Sequence, residues 1–244
     1  MVSETLDLMR PESRLRPYQQ LPMHVSWAAL SGPRVAPSGS WSGRQSMCRL
    51  LDIMIAAVAL VFLAPLMTLI ALLIWASGGP ILFGHQRVGR GGRTFTCWKF
   101  RTMHVDSDRI LADVLAASTV ARLEWERDRK LKADPRVGRV GALLRKSSLD
   151  ELPQLFNVLG GTMSIVGPRP IVQAEAFRYG RYFSDYCQVR PGITGLWQVS
   201  GRNSTTYRRR VACDVAYVRS KAPMNDIRIM MKTIPAVCFA RGAY

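Results

Sequence analysis

Ile53-Met-Ile-Ala-Ala-Val-Ala-Leu-Val-Phe-Leu-Ala-Pro-Leu-Met-Thr-Leu-Ile-Ala-Leu-Leu-Ile-Trp-Ala76 is a run of 24 residues without a single charge. As a straight helix it would be ~36 Å long, enough to cross a ~30 Å hydrocarbon core. It begins too far from Met1 for an ordinary cleaved signal peptide. Two features argue against a simple crossing. Pro65 lies in the middle, where proline removes one backbone hydrogen bond and kinks a helix. Both flanks are also basic, with Arg34, Arg44 and Arg49 before the run and Arg87, Arg90, Arg93, Lys99 and Arg101 after it. A single span normally concentrates its basic residues on one side. A broken helix that dips into one leaflet and returns keeps both ends on the same side. The carbonyls freed at its kink must then find partners within the protein. Charge and proline alone leave this re-entrant geometry and an ordinary spanning helix evenly matched.

Outward from that run, residues 1–47 are rich in Pro, Ser, Gly and Arg, with Pro11, Pro17, Pro22, Pro33 and Pro37 interrupting any helix. They read as a disordered basic tail, weakly attracted to anionic lipid. Gly78-Gly79-Pro80 stops the apolar segment. The chain thus divides into a tail (1–47), a membrane helix (48–80) and a third region (81–244). Arg87 to Arg93 reads as a basic turn whose glycines match neither the Walker nor the dinucleotide spacing. In Thr94 to Met103, Phe95 and Cys97 alternate with polar residues, so a short strand is expected. Residues 105–133 read as helical, with short helices at Val140–Leu144 and Leu152–Leu159 and an extended Met163–Val166. Arg190-Pro-Gly-Ile-Thr-Gly195 reads as a turn and Tyr207–Arg219 as a helix. Ile227, Ile229, Met230, Met231 and Ile234, interleaved with Arg228 and Lys232, make an amphipathic helix that lies either on the bilayer or against a core. The fold class is therefore mostly α with a few short strands, membrane-associated.

The chain has 244 residues and a net charge of +17, which favours an anionic partner. The basic residues are mostly Arg and spread throughout, without zinc-finger spacing or an aromatic RNA-binding signature, so nucleic acid is not the expected partner. The five cysteines (48, 97, 187, 213 and 238) are odd in number and contain no C-x-x-C. That argues against a disulfide framework or a structural zinc site, and fits a reducing compartment.

Asp150 and Glu151 stand side by side within Leu143-Leu-Arg-Lys-Ser-Ser-Leu-Asp-Glu-Leu-Pro153, with Arg136, Arg139, Arg145, Lys146 and Arg169 nearby in sequence. Cations hold an anionic substrate that would otherwise repel an attacking carboxylate. A carboxylate is already ionised at neutral pH and needs no base, and its acyl phosphate can be passed on. An adjacent Glu can hold a divalent cation on the phosphates. The same residues also fit a capping box, with Ser148 as N-cap and Glu151 at N3. Gly167-Pro-Arg-Pro170 sets Arg169 between two prolines, a preorganised guanidinium for a phosphate or simply a rigid turn.

Several runs together resemble one family: Lys99-Phe-Arg-Thr-Met103, Asp134-Pro-Arg136, Leu144 to Gln154, Asn157-Val, Met163 to Pro170 and Arg190 to Val199. The chain from about Arg49 to Tyr244 resembles the bacterial sugar transferases that act on polyprenyl phosphate. The Thr233-Ile-Pro-Ala-Val and Arg241-Gly-Ala-Tyr244 endings are similar to members that start exopolysaccharide assembly. The resemblance implies transfer of a hexose-1-phosphate, galactose or glucose, from a UDP-hexose to undecaprenyl phosphate with release of UMP. It implies a covalent intermediate on Asp150 and Mg²⁺ held with the help of Glu151. Lys99, Arg101, Arg145 and Arg169 would line the phosphate site, and Arg190 would begin a run shaping the nucleotide or sugar end. It also implies a re-entrant helix kinked at Pro65 in the bacterial inner membrane, a catalytic domain on the cytoplasmic face, and an oligomeric state left open, a homodimer included. The family's Ser-Pro pair at the kink is Ala64-Pro65 here, which removes a hydroxyl able to satisfy a freed carbonyl. His85-Gln86 and Gly138 depart from the family's common Gln-Glu and Thr. Two other classes compete: a non-catalytic membrane-surface scaffold of a polysaccharide assembly complex, and a membrane-tethered nucleic-acid binder.

Overall fold

A computed structural model of the chain describes residues 40–128, 131, 133–200 and 206–238. Most of the basic tail lies outside these. The apolar run is carried by α1 (Ser40–Ala76), which continues through Pro65. Residues 40–47 belong to this helix rather than to the tail. Within it, Gln45–Ala76 is long and apolar enough to cross a membrane.

α1 has two apolar faces with different partners. Cys48, Asp52, Ala56, Ile70 and Ile74 are buried, and Leu60, Leu63, Leu66 and Met67 are half-buried between them. Steps of three and four residues place them on one stripe. The opposite face exposes Met54, Val58, Val61, Phe62, Leu69 and Leu72, the exposure expected of a lipid-facing surface. The helix ends where Gly78 (φ +77°) and Gly79 (φ +82°) enter the left-handed region that glycine tolerates without a Cβ clash. Arg101 closes that end, donating to Ser77 Oγ (2.9 Å), Ile74 O (3.3 Å) and Gly78 O.

The next segment is a hairpin, not a turn followed by one strand. β1 (Leu82–Val88) pairs antiparallel with β2 (Thr94–Phe100), His85 lying opposite Cys97. Arg87 and Val88 therefore belong to a strand, and the turn is confined to Gly89–Arg93. The expected single helix over 105–133 is two, α2 (Ser107–Ala117) and α3 (Thr119–Asp128). Between them Ser118 is extended, and its Oγ accepts from Ala121 N (3.2 Å), starting the second helix.

α4 (Arg139–Ser147) leads through a 3₁₀ turn at Leu149–Glu151 into α5 (Gln154–Leu159). The capping box does not form. Ser148 has φ +58° and its side chain makes no cap hydrogen bond. It is the one non-glycine residue at positive φ among the described residues, and it sits two positions before Asp150. Such a conformation costs about 1 kcal/mol or more and persists where surrounding packing enforces it.

β3 (Ser164–Val166) pairs in parallel with β4 (Gly192–Thr194), so the expected turn at 190–195 contains a strand. The glycine explains both readings. A Cβ on Gly192 would sit 2.7 Å from Gly167 Cα and 2.5 Å from Thr194 O, so the two backbones meet only because neither carries a side chain. Gly192→Ala should destabilise the protein by about 3 kcal/mol. A thermal midpoint in detergent within 1–2 °C of wild type would contradict this close packing.

A 3₁₀ segment (Gln173–Tyr182), α6 (Phe183–Tyr186), α7 (Leu196–Val199), α8 (Tyr207–Arg219) and α9 (Pro223–Cys238) complete the fold. Tyr179, Tyr186, Val211 and Val215 form one apolar core with Val88 and Ile171. Tyr217, Val218 and Ile229 form another with Val166. α9 packs one side against the core, with Ile229 and Asp226 buried, while Met224, Ile227, Met231 and Ile234 form an exposed apolar stripe on the other.

Candidate active site

The acidic pair sits where four elements meet. On β2, alternation and register put Phe95, Cys97 and Lys99 on one face with Phe83, His85 and Arg87 of β1. Lys99 Nζ lies 2.6 Å from Glu151 Oε1 and 3.7 Å from Asp150 Oδ2. The turn bearing the pair is bolted to the membrane helix, because Leu149 and Leu152 pack in the cluster formed by Ile70, Ile74, Phe100 and Leu144. α5 is tied to β2 by Asn157, whose side chain accepts from Trp98 N (2.9 Å) and donates to Thr96 O (2.7 Å). Asn157 thereby occupies the free edge of β2 as another strand would.

Asp150 is 9% exposed while Glu151 is half-buried. Burial pushes the Asp150 carboxyl above its ordinary range; Lys99 opposes this, Glu151 adds to it, and Arg145 opposes it more weakly. The cation thus offsets part of the burial that disfavours the carboxylate anion. Arg145 is exposed and donates through Nε to Thr102 Oγ1 (2.9 Å).

Of the residues picked from sequence, Asp150, Glu151, Lys99 and Arg145 come together. Arg169 is exposed, its guanidinium 5.6 Å from the Trp197 ring centre. The charges of Lys99, Arg87, Glu151 and Arg169 all reach the Cys97 thiol between them. Arg101 turns one nitrogen to the end of α1 and leaves Nη1 buried without a partner, and Arg190 donates through Nε to Gly161 O (2.7 Å) beyond α5. Arg136 is buried, forked onto Asp134 (2.8 and 2.7 Å) with its guanidinium 5.0 Å from the Trp125 ring centre, so it braces its own loop.

Sequence reasoning missed Arg87, His85 and an arginine–aromatic stack. Arg87 donates to Pro170 O (3.2 Å) and to His85 Nδ1 (3.0 Å), and burial together with the Arg169 charge lowers its pKa. Burial and the Arg87 and Lys99 charges also lower the pKa of His85, leaving it a neutral acceptor. Reading residues 83, 85 and 87 as one strand face would have found both. The stack runs Arg169–Trp197–Arg210–Tyr207, with Arg210 4.5 Å from the Trp197 and 5.0 Å from the Tyr207 ring centre. Trp197 is 4% exposed, so the stack holds its arginines in place and presents their charge rather than the indole face. Only the order of residues along α8 points to it in sequence.

Among the described residues no three His, Cys, Asp or Glu side chains converge as a ready metal cage. The Asp150–Glu151 pair offers two carboxylates beside a cationic surface, which is the donor set Mg²⁺ takes when substrate phosphates and water supply the rest.

Comparison with known proteins shows the family. The profile of the family described as bacterial sugar transferase matches residues 43–240. The chain is 50% identical over 197 residues to the exopolysaccharide production protein ExoY of Sinorhizobium fredii, covering 80% of this chain and 87% of that protein. It is 50% identical over 196 residues to the undecaprenyl-phosphate galactose phosphotransferase of Salmonella typhimurium, covering 80% of this chain but 41% of that protein. It is 40% identical over 205 residues to a UDP-glucose:undecaprenyl-phosphate glucose-1-phosphate transferase of Caulobacter vibrioides, covering 80% of this chain and 71% of that protein.

Proposed function

The chain belongs to the bacterial sugar transferase family, and we propose that it transfers hexose-1-phosphate from a UDP-hexose to undecaprenyl phosphate, releasing UMP. The observation that carries this reading is the buried Asp150, paired with Lys99 and seated directly on the apolar helix through Leu149 and Leu152. A soluble nucleotide sugar and a lipid-borne phosphate meet only at the membrane surface, and a carboxylate seated on the apolar helix supports a nucleophile acting there.

Asp150 attacks the phosphorus bonded to the hexose, and the bond from that phosphorus to the UMP oxygen breaks. UMP leaves with the electron pair. Lys99 holds Asp150 ionised before attack, and Arg145 and Arg169 stabilise charge on the phosphates. The phosphate oxygen of the lipid then attacks the same phosphorus and displaces Asp150, regenerating the carboxylate. Arg87 and the Trp197–Arg210–Tyr207 stack orient the nucleotide end. Asp150 and Glu151 would hold Mg²⁺ together with phosphate oxygens of the donor, and the ion would neutralise charge on the leaving group.

In this reading α1 dips into the cytoplasmic leaflet of the inner membrane rather than crossing it. Both halves support this. The buried stripe runs from Cys48 to Ile74 against a single domain, Arg49 bonding α5 at one end and Arg101 closing the other. A crossing would carry one end ~30 Å away from that domain. The exposed stripe of α9 would lie at the interface beside it.

The test is UMP release by detergent-purified protein with Mg²⁺, undecaprenyl phosphate and one UDP-hexose at a time. Multiple turnovers dependent on the lipid acceptor are expected with UDP-galactose or UDP-glucose. Folded protein that makes no UMP from any donor would leave a non-catalytic scaffold as the working function.

A further inference from the structure

We propose that Arg49, Arg90 and Arg190 form a second phosphate site, distinct from the active site, that takes the headgroup phosphate of an anionic membrane lipid. The three guanidiniums line one small cleft beside the start of α1, together with Asp52, Ser164 and Gln188. The acidic pair precedes the N-terminus of α5, whereas Arg49 donates to Val158 O (2.7 Å) and Leu159 O (3.1 Å) at its C-terminal end. The helix therefore separates the two places.

The positive charge there exceeds the negative, three guanidiniums standing against the single carboxylate of Asp52. Among the described residues none of the three arginines makes an ion pair. Asp52, the nearest carboxylate, is buried and spent on Ser164 Oγ (2.8 Å) and Ile165 N (2.9 Å). Lys221, the fourth cation, stands 3.7 Å from Asp226. Burial and the charges of Arg49 and Arg90 lower the pKa of Arg190, and Asp52 opposes them only in part, as expected where several cations share one carboxylate. Arg190 commits Nε to Gly161 O, and Arg90 donates from one nitrogen to Gln45 Oε1 (3.2 Å), so both retain further N–H groups.

Size and place identify the ligand. The cavity is about 20 Å³, room for an oxygen or two and not for a sugar or a base. A phosphate must therefore present its oxygens from outside. Met47, Leu50 and Met54 are exposed on the same stretch of α1 and belong in acyl chains, which sets the cleft at headgroup level. Guanidiniums bind phosphate oxygens in forked pairs, and the fold has already desolvated Arg190 in part. The site would fix the depth and rotation of α1.

Short-chain phosphatidylglycerol, phosphatidylcholine and inorganic phosphate would be titrated separately into the full chain in neutral detergent, following the thermal midpoint. Phosphatidylglycerol should stabilise wild type and Arg109→Gln alike. Arg109 is exposed on α2 away from the cleft, and its loss matches the charge change. Arg90→Gln, which gives up one exposed hydrogen bond, should weaken the apparent affinity about tenfold. Equal weakening by Arg90→Gln and Arg109→Gln would overturn the site in favour of diffuse attraction. Stabilisation by inorganic phosphate equal to that by phosphatidylglycerol would overturn the lipid assignment, as would equal stabilisation by phosphatidylcholine. None of these readouts requires turnover, so they stand or fall separately from the transferase reading.

Discussion

Asp150→Asn should reduce UMP release by a factor on the order of 10⁴, with the protein still folded and still membrane-bound. Asparagine keeps the shape and loses the nucleophile. If Asp150 were only a helix-start residue, the change would cost about 1 kcal/mol of stability and leave turnover intact. The pH profile separates the readings further. Burial raises the Asp150 pKa, so the acid limb of kcat/KM should fall above the ordinary carboxylate range. Lys99 holds that pKa down, so Lys99→Met should move the limb to still higher pH as well as slow the reaction. The stability consequence has the opposite direction to that of a surface salt bridge. The native state holds the Asp150 proton more tightly than the unfolded chain does, so its contribution declines as pH rises. Asp150→Asn should therefore match or exceed the wild-type thermal midpoint at pH 8. A clear loss of stability there, with activity retained, would remove Asp150 from the mechanism.

The second large effect concerns Asp214, which is 1% exposed in the interior of α8. Tyr179 donates its hydroxyl proton to Oδ2 (2.7 Å), and Oδ1 has no partner. Burial pushes the carboxyl from 3.8 up to about 7, against the opposing pull of Tyr179, Arg210 and Arg169. Because the folded pKa is raised, this group's contribution is full below about pH 4 and is lost as pH rises through about 7. At about 1.4 kcal/mol per pKa unit the swing is on the order of 4 kcal/mol. Asp214→Asn retains the acceptor for Tyr179 and carries no charge, so it should match wild type near pH 4.5 and be the more stable protein at pH 8. Thermal midpoints of the two proteins in one detergent, measured across that range, should diverge with rising pH. Parallel curves would show that the buried carboxyl titrates elsewhere.

Legibility differed from segment to segment for identifiable reasons. Tyr207–Arg219 and the strand beginning at Thr94 were readable because their side chains alternate with the period of the element. β1 was not, since Gly84, His85, Gln86 and Arg87 lack that alternation and only pairing with β2 makes them a strand. β4 was hidden by Pro191 and Gly192, which look like turn residues but permit a backbone approach to Gly167. At the site, the acidic pair and Lys99 were legible as residue types. That Lys99 would reach both carboxylates across some fifty residues of chain was a matter of register. The choice between catalytic and structural arginines was least legible. Arg101 and Arg145 lie in similar basic motifs, yet one binds the carbonyls ending α1 and the other bonds Thr102 with its charge felt at Asp150.

By itself the sequence determined an apolar helix with proline at its centre, a strongly basic chain and a paired carboxylate among cations. These follow from composition and from neighbours a few residues apart, where side-chain spacing and φ/ψ preference act. The tertiary structure alone decided that α1 lays one stripe along the domain from Cys48 to Ile74, that Asp150 is buried while Glu151 is not, and which guanidiniums keep donors for a ligand. A guanidinium binds a carbonyl or a phosphate through the same N–H groups, so its partner depends on where distant parts of the chain come to rest.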